Sequence, residues 1–353
     1  MRKSPSRPNL RQLASTLGLS VTTVSRALKN GPEVNSKTVK RVQEAAKTMG
    51  YVPNRTGQAL RTGRTNVLAA ILPLETQAYL SDVARLPLIE GMTVAAQARG
   101  YTLSIHSALP DADPLEVVQK TVGLGACDGL IITRMERNDT RIAWLDEQDI
   151  PFVTFGRSDS PRQHAYVDID NAKIAQVATA QLLSEGHRRI ALQVLGGRDM
   201  ASAERISGFF QSHEEAGIHA DPALVGTDHF DMETSSNALD HLLLLPDPPT
   251  AMICVSELGI LGAIAALRRH GISAPSDFAL ITRDNTRMCD FLGLPGIRYH
   301  SVDMARVGQS LVEGLLGRID QPDEGPFQKV FAPGPLFGDP PHTGQDSREE
   351  PKP

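Results

Sequence analysis

The chain of 353 residues is 41% hydrophobic and 22% charged, the composition of a soluble globular protein long enough for two or three packed units. It contains no apolar run of about 18 residues that would predict a membrane span, and no apolar stretch follows the basic N-terminus as a secretory signal requires. The cysteines at 127, 254 and 289 are odd in number and widely spaced, so they predict a reducing cytoplasm without a disulfide framework or a zinc site.

The net charge of −5 hides a strong asymmetry along the chain. Residues 1–65 hold 13 Lys or Arg against two acids, a formal charge of +11, whereas the remainder holds 23 against 39, a formal charge of −16. A compact basic unit on an acidic body is typical of a protein that binds phosphates. A basic face that merely contacts solvent is the alternative, and charge alone does not decide between them.

Three short helices are predicted in this basic unit. Asn9 caps the first, over 10–17, and Gly18 provides a tight turn to the second, which Ser20 caps and residues 30–32 end. Ser36 is predicted to cap the third, which runs to about Met49. The turn, the caps and the charge together predict a helix-turn-helix unit rather than a plain helical bundle.

The second helix is rich in small hydroxyl side chains, which are mediocre helix formers and poor core fillers. An α-helix fits the major groove of DNA, where an arginine can make two hydrogen bonds to a guanine edge and hydroxyl groups can reach bases or phosphates. The predicted DNA-binding residues of this helix are Ser20, Val21, Thr22, Thr23, Ser25 and Arg26.

The segment after the third helix reads YVPNRTGQALRTGRT and is basic. Residues 54–62 predict a marginal helix with one large apolar side chain, Leu60. Such a segment would order on DNA and insert Leu60 between base steps of the minor groove, with Asn54 and Arg55 as further DNA contacts. The alternative is a plain linker.

LRQLASTLGLSVTTVSRALKN, followed by YVPNR and QAL, resembles the lactose-repressor (LacI/GalR) family of bacterial transcription regulators. The resemblance implies a homodimer that reads a near-palindromic operator in double-stranded DNA, with two hinge helices side by side in the minor groove. It also implies that Val21 and Thr22 begin the recognition helix, that Arg26 is its arginine, and that Leu60 is the hinge leucine.

Beyond residue 66 short apolar strands alternate with helices, and the rhythm restarts after residue 168. This pattern predicts parallel, doubly wound sheets in two similar halves. The predicted strands are 67–73, 101–107, 128–134, 151–156, 189–195, 251–256, 278–282 and 297–303, and the predicted helices are 86–99, 114–122, 142–148, 171–185, 204–216 and 260–270. The arrangement is similar to periplasmic sugar-binding proteins and to the effector-binding core of the same family, so the resemblance covers about residues 9 to 335.

Ligands of parallel sheets bind beyond the carboxyl ends of the strands. The family resemblance implies that Arg205 and Asp284 bind sugar hydroxyls, and Arg157 follows a strand at the crossover between the halves. Ser256 stands with Glu257 where the family commonly has Asn-Asp, so Ser256 is also predicted to contact the effector, with a hydroxyl group in place of a side-chain amide. For each charged residue a surface ion pair is the alternative.

The predicted organisation is therefore a helix-turn-helix domain (1–52), a hinge (53–65), a two-lobed effector-binding and dimerisation core (66–338) and a disordered tail (339–353). The predicted function is a cytoplasmic, nucleoid-associated repressor that a small carbohydrate controls allosterically. The alternatives are a regulator with a purine-like effector and a cytosolic sugar-binding protein. Neither a catalytic constellation nor a metal-ligand pattern is present in the sequence, so no enzyme activity, metal or cofactor is predicted.

Overall fold

The computed structural model describes residues 8–51, 63–73, 85–109, 112–196, 199–227, 231–294 and 296–338. The chain divides into two compact units, Met1–Thr65 and Asn66–Pro353. Among the described helices, none is long and apolar enough to cross a membrane.

The small unit contains three helices, α1 (Leu10–Leu17), α2 (Val21–Leu28) and α3 (Ser36–Met49). Gly18 has a φ of +62° at the end of α1, which an L side chain rarely adopts, so the tight connection to α2 favours glycine there. The prediction that Ser36 caps α3 is wrong. Asn35 is the N-cap, because its side chain accepts a hydrogen bond from the backbone N–H of Lys37 at 2.8 Å.

The core of the small unit consists of six buried side chains, two from each helix: Leu13, Ala14, Val24, Ala27, Val42 and Ala46. Arg41 adds a hydrogen bond between α3 and α1, since its Nη2 donates to the carbonyl oxygen of Leu17 at 2.5 Å. A core this small leaves the rest of the three helices at the surface.

The large unit alternates strands and helices. In chain order its described elements are β1 (Val67–Pro73), α4 (Arg85–Ala98), β2 (Thr102–Ala108), α5 (Pro114–Gly123), β3 (Gly129–Thr133), α6 (Thr140–Glu147), β4 (Phe152–Phe155), β5 (Tyr166–Ile169), α7 (Asn171–Ser184), β6 (Ile190–Gln193), α8 (Met200–Glu215), the 3₁₀ turn Pro222–Leu224, β7 (Val225–Gly226), α9 (Met232–Leu243), β8 (Ala251–Cys254), α10 (Glu257–Arg269), β9 (Ala279–Arg283), α11 (Met288–Phe291), β10 (Arg298–His300), α12 (Met304–Asp320), β11 (Gln328–Phe331) and β12 (Leu336–Phe337).

These elements form two lobes, each built on a six-stranded sheet. Lobe 1 has the strand order β11-β5-β4-β3-β1-β2, entirely parallel, and α4, α5, α6 and α12 pack on it. Lobe 2 has the order β12-β10-β9-β8-β6-β7, in which only β12 is antiparallel, together with helices α7 to α11. The predicted fold class of two doubly wound, mainly parallel lobes is confirmed.

The chain passes between the lobes three times, after β5, after β10 and after β11. The sequence predicted only the first of these crossings. Strands β5, β7, β11 and β12 and helices α9, α11 and α12 were not predicted, and α8 and α10 begin four and three residues earlier than expected, at Met200 and Glu257.

Helices α4 and α12 pack closely in lobe 1 because glycines lie at their contact. An ideal Cβ on Gly308 of α12 would lie 2.3 Å from the carbonyl oxygen of Leu88 and 2.8 Å from the amide nitrogen of Met92. Both atoms belong to the backbone of α4, so no side chain can move aside.

We expect Gly308→Ala to destabilise the large unit, because even one added methyl group forces these helices apart. Overpacking of this kind costs about 1–3 kcal/mol or more. Gly317→Ala in the same helix is the matched control: a Cβ there meets nothing within 4 Å, so it should raise stability by up to about 1 kcal/mol. Urea unfolding of both variants measures the difference, and equal stabilities would contradict close backbone packing.

Candidate functional sites

Helix α2 presents a polar face to solvent from the small unit. Val24 and Ala27 are buried, whereas Thr22, Arg26 and Val21 are exposed, Val21 by 41%. Val24 and Ala27 therefore face the core of the small unit, whereas Val21, at the first helical position, faces outward. An exposed Val-Thr pair at the start of a capped helix can contact base edges, including the methyl group of thymine.

The hydroxyl groups of α2 differ in their availability. Ser20 caps the helix, since its Oγ accepts from the amide of Thr23 at 3.0 Å, and the hydroxyl groups of Ser20 and Thr23 lie 2.8 Å apart. Ser25 is partly buried. Ser20 and Thr23 thus fix the first turn of α2, which positions Val21 and Thr22 beside them.

Arg26 forms an ion pair with Glu33, with Nε 3.2 Å from Oε1, and both side chains are about half exposed. An exposed pair of this kind contributes only about 0–1 kcal/mol, so it holds the guanidinium weakly. The predicted DNA contacts Asn54, Arg55 and Leu60 lie outside the described residues.

A cleft of about 140 Å³ lies between the lobes, at the carboxyl ends of the parallel strands. Its lining includes Arg134 after β3, Arg157 after β4, Asp168 in β5 and Arg283 at the end of β9. Helix α8 of lobe 2 contributes Glu204 and Arg205, which the sequence placed in the first turn of that helix. The cleft therefore lies where ligands bind in open parallel sheets.

Arg157 joins carboxylates from both lobes. Its Nε donates to Asp168 Oδ2 at 2.7 Å in lobe 1, and its Nη2 donates to Glu204 Oε1 at 2.8 Å in lobe 2. Burial raises the pKa of Asp168 and of Glu204, and the charge of Asp168 raises that of Glu204 further. Two partly desolvated carboxylates therefore share one guanidinium across the cleft.

Arg205 lines the cleft beside this group. Its Nη2 donates to Asn171 Oδ1 at 2.6 Å, and the amide group of Asn171 faces Glu204 Oε2 at 3.4 Å. Burial, and then the charge of Arg283, lower the pKa of Arg205 to about 10, so it remains a cation at neutral pH. Planar guanidinium, carboxylate and amide groups here offer the paired donors and acceptors that a polyol needs.

The structure does not bring Asp284 and Ser256 to the cleft. Asp284 is fully buried, and its carboxylate accepts from the amide and hydroxyl groups of Thr286, both at 3.0 Å, and from the amide of Cys289 at 2.7 Å. Ser256 is the N-cap of α10, where its Oγ accepts from the amide of Gly259 at 2.9 Å. Both predicted ligand contacts are engaged in local structure instead.

We expect Asp284→Asn to lower stability, because it places an amide NH₂ group against backbone donors at a cost of about 1–3 kcal/mol. Burial acts to raise the pKa of Asp284, but the backbone N–H groups around it bring that pKa below its ordinary value. The carboxylate therefore stabilises the fold above about pH 4 and loses this contribution as the pH falls through its lowered pKa. Urea unfolding between pH 3 and pH 7 should show a flatter acid limb for the variant; superimposable curves would contradict this role.

Arg283, the neighbour of Asp284, lies in the cleft and was not predicted. Its Nη2 lies 3.4 Å from Glu257 Oε2, and the other oxygen of Glu257, which is 1% exposed, accepts from the amide of Asn285 at 2.9 Å. Asp168, Asn171 and Glu204 were also missed. Asp168 and Asn171 lie at the first crossing between the lobes, and Glu204 precedes Arg205 in the sequence. These positions could have indicated that the three residues line the cleft.

Two family models match the chain. Residues 9–54 match the model described as bacterial regulatory proteins, lacI family. Residues 179–336 match the model of a periplasmic binding protein-like domain.

Three known proteins are similar to most of the chain. The HTH-type transcriptional regulator AglR of Rhizobium meliloti (strain 1021) is 33% identical over 329 residues, which cover 90% of each chain. The solved complex of the transcriptional regulator CelR with cellobiose has 27% identity and a TM-score of 0.69, covering 94% of this chain and 98% of that one. The lac repressor dimer bound to operator and the anti-inducer ONPF has a TM-score of 0.79 at 20% identity, with the same coverage, and supports the fold alone.

Proposed function

Because the chain belongs to the lacI family of bacterial regulatory proteins, whose members are DNA-binding transcriptional regulators and not enzymes, we propose that it is a repressor controlled by a small carbohydrate. The observation that carries this proposal is the polar cleft in which Arg157, Arg205 and two carboxylates converge between the lobes. A regulator that binds the chromosome would act in the bacterial cytoplasm, at the nucleoid.

The small unit supplies the DNA-binding surface in this proposal. Val21, Thr22 and Arg26 would read base edges in the major groove, with Ser20, Thr23 and Ser25 holding or extending that surface. Residues 53–65 would form the hinge, in which Asn54, Arg55 and Leu60 contact the minor groove. The tail 339–353 would lie outside the core of 66–338.

The chemistry of the cleft supports a carbohydrate. Guanidinium and carboxylate groups each make two hydrogen bonds at once, which suits adjacent hydroxyl groups on a sugar ring. The relative CelR was solved with cellobiose, a disaccharide, which favours the same class of effector.

The contacts between the lobes give this effector a route to control DNA binding. Besides the Arg157–Glu204 pair, the amide of Met200 donates to the carbonyl oxygen of Met135 at 2.9 Å across the cleft. A sugar that binds Arg157 and Glu204 would change the relative energies of the closed and open arrangements. If the sugar binds one arrangement more tightly than the other, it shifts the population of the two arrangements, and operator affinity changes with that population.

A homodimer fits the surface of the large unit. Phe291 and Leu292, adjacent at the end of α11, are 86% and 54% exposed. Large apolar side chains grouped at the surface are typical of interfaces between proteins. A two-fold dimer would place two α2 helices on the half-sites of a near-palindromic operator.

The test is selection of genomic DNA fragments by the purified full-length protein, repeated with a panel of mono- and disaccharides. We expect enrichment of a short near-palindrome that one sugar abolishes, and sedimentation as a dimer. Enrichment that responds to purines but to no sugar would favour the alternative effector. Binding of sugar without any selection of DNA would contradict the repressor.

A further inference from the structure

A second, smaller cavity of about 10 Å³ lies in lobe 2, and we call it the His300 chamber. Arg205 and Arg283 line both this chamber and the cleft, so the two spaces meet at their side chains. The other walls are mainly aliphatic and come from α7, β8 and β9, with Ile174, Val255 and Ile281 as examples. The chamber therefore adjoins the cleft at the side chains of Arg205 and Arg283.

His300, the last residue of β10, brings a polar atom to this apolar space. The residue is 1% exposed, and its Nδ1 lies 3.2 Å from the carbonyl oxygen of Gly334. Because a carbonyl oxygen only accepts, Nδ1 carries the proton. Burial lowers the pKa of the imidazole, so the ring is neutral at pH 7 and Nε2 bears a lone pair.

Nε2 of His300 has no hydrogen-bond partner among the described residues. A buried acceptor without a donor is costly, and buried polar groups are therefore almost always paired. His300 lines a chamber whose volume of about 10 Å³ matches one oxygen atom, since a water-sized group needs roughly 10–15 Å³. The chamber therefore has the chemistry and the volume for one O–H group that donates to Nε2.

We propose that the His300 chamber is a hydroxyl subsite of the cleft, which in the bound state takes one hydroxyl group of the carbohydrate as a donor to His300 Nε2. This inference rests on the proposed carbohydrate effector. The walls are mainly aliphatic, and the guanidinium groups of Arg205 and Arg283, which line both the chamber and the cleft, can donate to the same oxygen. The subsite would distinguish a sugar with a hydroxyl at that position from its deoxy counterpart.

A crystal structure of the sugar-free protein is the first test. We expect one ordered water oxygen within hydrogen-bond distance of His300 Nε2, as a stand-in for the hydroxyl group. A protein group bonded to Nε2, or a chamber closed by its aliphatic walls, would overturn the subsite whether or not any sugar binds.

Calorimetric titration of cellobiose, maltose, sucrose and trehalose into the full-length protein is the second test. For each probe that binds, His300→Phe should weaken binding about tenfold, the effect of one lost hydrogen bond, and His300→Gln should restore part of it through Oε1. His187→Phe is the matched control, because His187 pairs with Thr250 away from the chamber. Selection of operator DNA and sugar affinity should both be unchanged in His187→Phe.

Unchanged affinity of a folded His300→Phe protein would overturn the subsite. If that variant does not fold, the crystal structure of the wild-type protein with the bound probe decides: a sugar oxygen at Nε2 supports the proposal, and a water oxygen retained there overturns it. Failure of every sugar to bind would contradict the proposed function instead. The sugar-free structure would still show whether Nε2 takes an O–H donor.

Discussion

Replacing Arg26 with alanine is expected to weaken binding to the selected operator by about 5- to 150-fold. A bidentate contact between an arginine and a guanine edge is worth roughly 1–3 kcal/mol of discrimination, and each 1.4 kcal/mol is a factor of about ten. Arg26 is available for such a contact, because the residue is exposed on α2 and its pair with Glu33 is exposed as well. Fluorescence anisotropy with a labelled operator at fixed salt measures the change.

Two variants separate base reading from the effect of charge. Glu33→Gln removes the partner of Arg26 and one negative charge, so operator binding should be retained or strengthened. Lys37→Ala, on α3, should weaken operator and unrelated DNA alike and lower the salt dependence, as expected for a contact to phosphate. Equal losses for operator and unrelated DNA in Arg26→Ala would contradict base reading by α2.

The small unit was predictable from the sequence because local signals decide its structure. Asn9, Ser20 and Gly18 set the ends of α1 and α2, and the structure has these ends where the pattern places them. The strands of lobe 1 up to β4 were predictable for a similar reason: each is a short apolar run bounded by turn residues. Helix and strand ends that a capping or turn residue sets can therefore be predicted from a single sequence.

Helix α12 could not be predicted from local signals, because tertiary contacts decide it. Gly308, Gly314 and Gly317 interrupt its apolar stripe and each lowers helix propensity by about 1 kcal/mol. Two of them are needed for packing: Gly308 for the approach of α4, and Gly314 because a Cβ there would lie 2.8 Å from the ring of Phe327. The helix also returns the chain to lobe 1, which no local pattern indicates.

The residues that line the cleft show a different limit of prediction from sequence. The sequence located the end of β9 well, but the choice between Arg283 and Asp284 depends on which side chain faces the cleft. Successive side chains of a strand point to opposite faces, so an offset of one residue exchanges a ligand contact for a buried structural group. Arg157 and Arg205, which both line the cleft, were predicted as effector contacts, the first from its place after a strand and the second from the family resemblance.

We expect Arg205→Ala to move the response to the effector to about 10- to 150-fold higher sugar concentrations while leaving operator binding intact. Arg205 is a desolvated cation that lines the cleft, and a lost hydrogen bond to a charged group costs about 1.5–3 kcal/mol, or roughly 10- to 150-fold in sugar affinity. Its described hydrogen-bond partner, Asn171, lies in the large unit as well, so we expect the DNA-reading surface to be unaffected. Operator binding at increasing sugar concentrations measures both quantities in one experiment.

Arg269→Ala is the matched control, because Arg269 lies on the same lobe but pairs with Asp240 and Ser236 outside the cleft. It should respond to sugar as the wild-type protein does. Arg205→Lys keeps the charge but loses the planar pair of donors, so its affinity should lie between those of the wild-type protein and Arg205→Ala. If Arg205→Ala releases the operator at the wild-type sugar concentration, the cleft is not the effector site, and the Arg157–Glu204 pair would then join the lobes without any ligand between them.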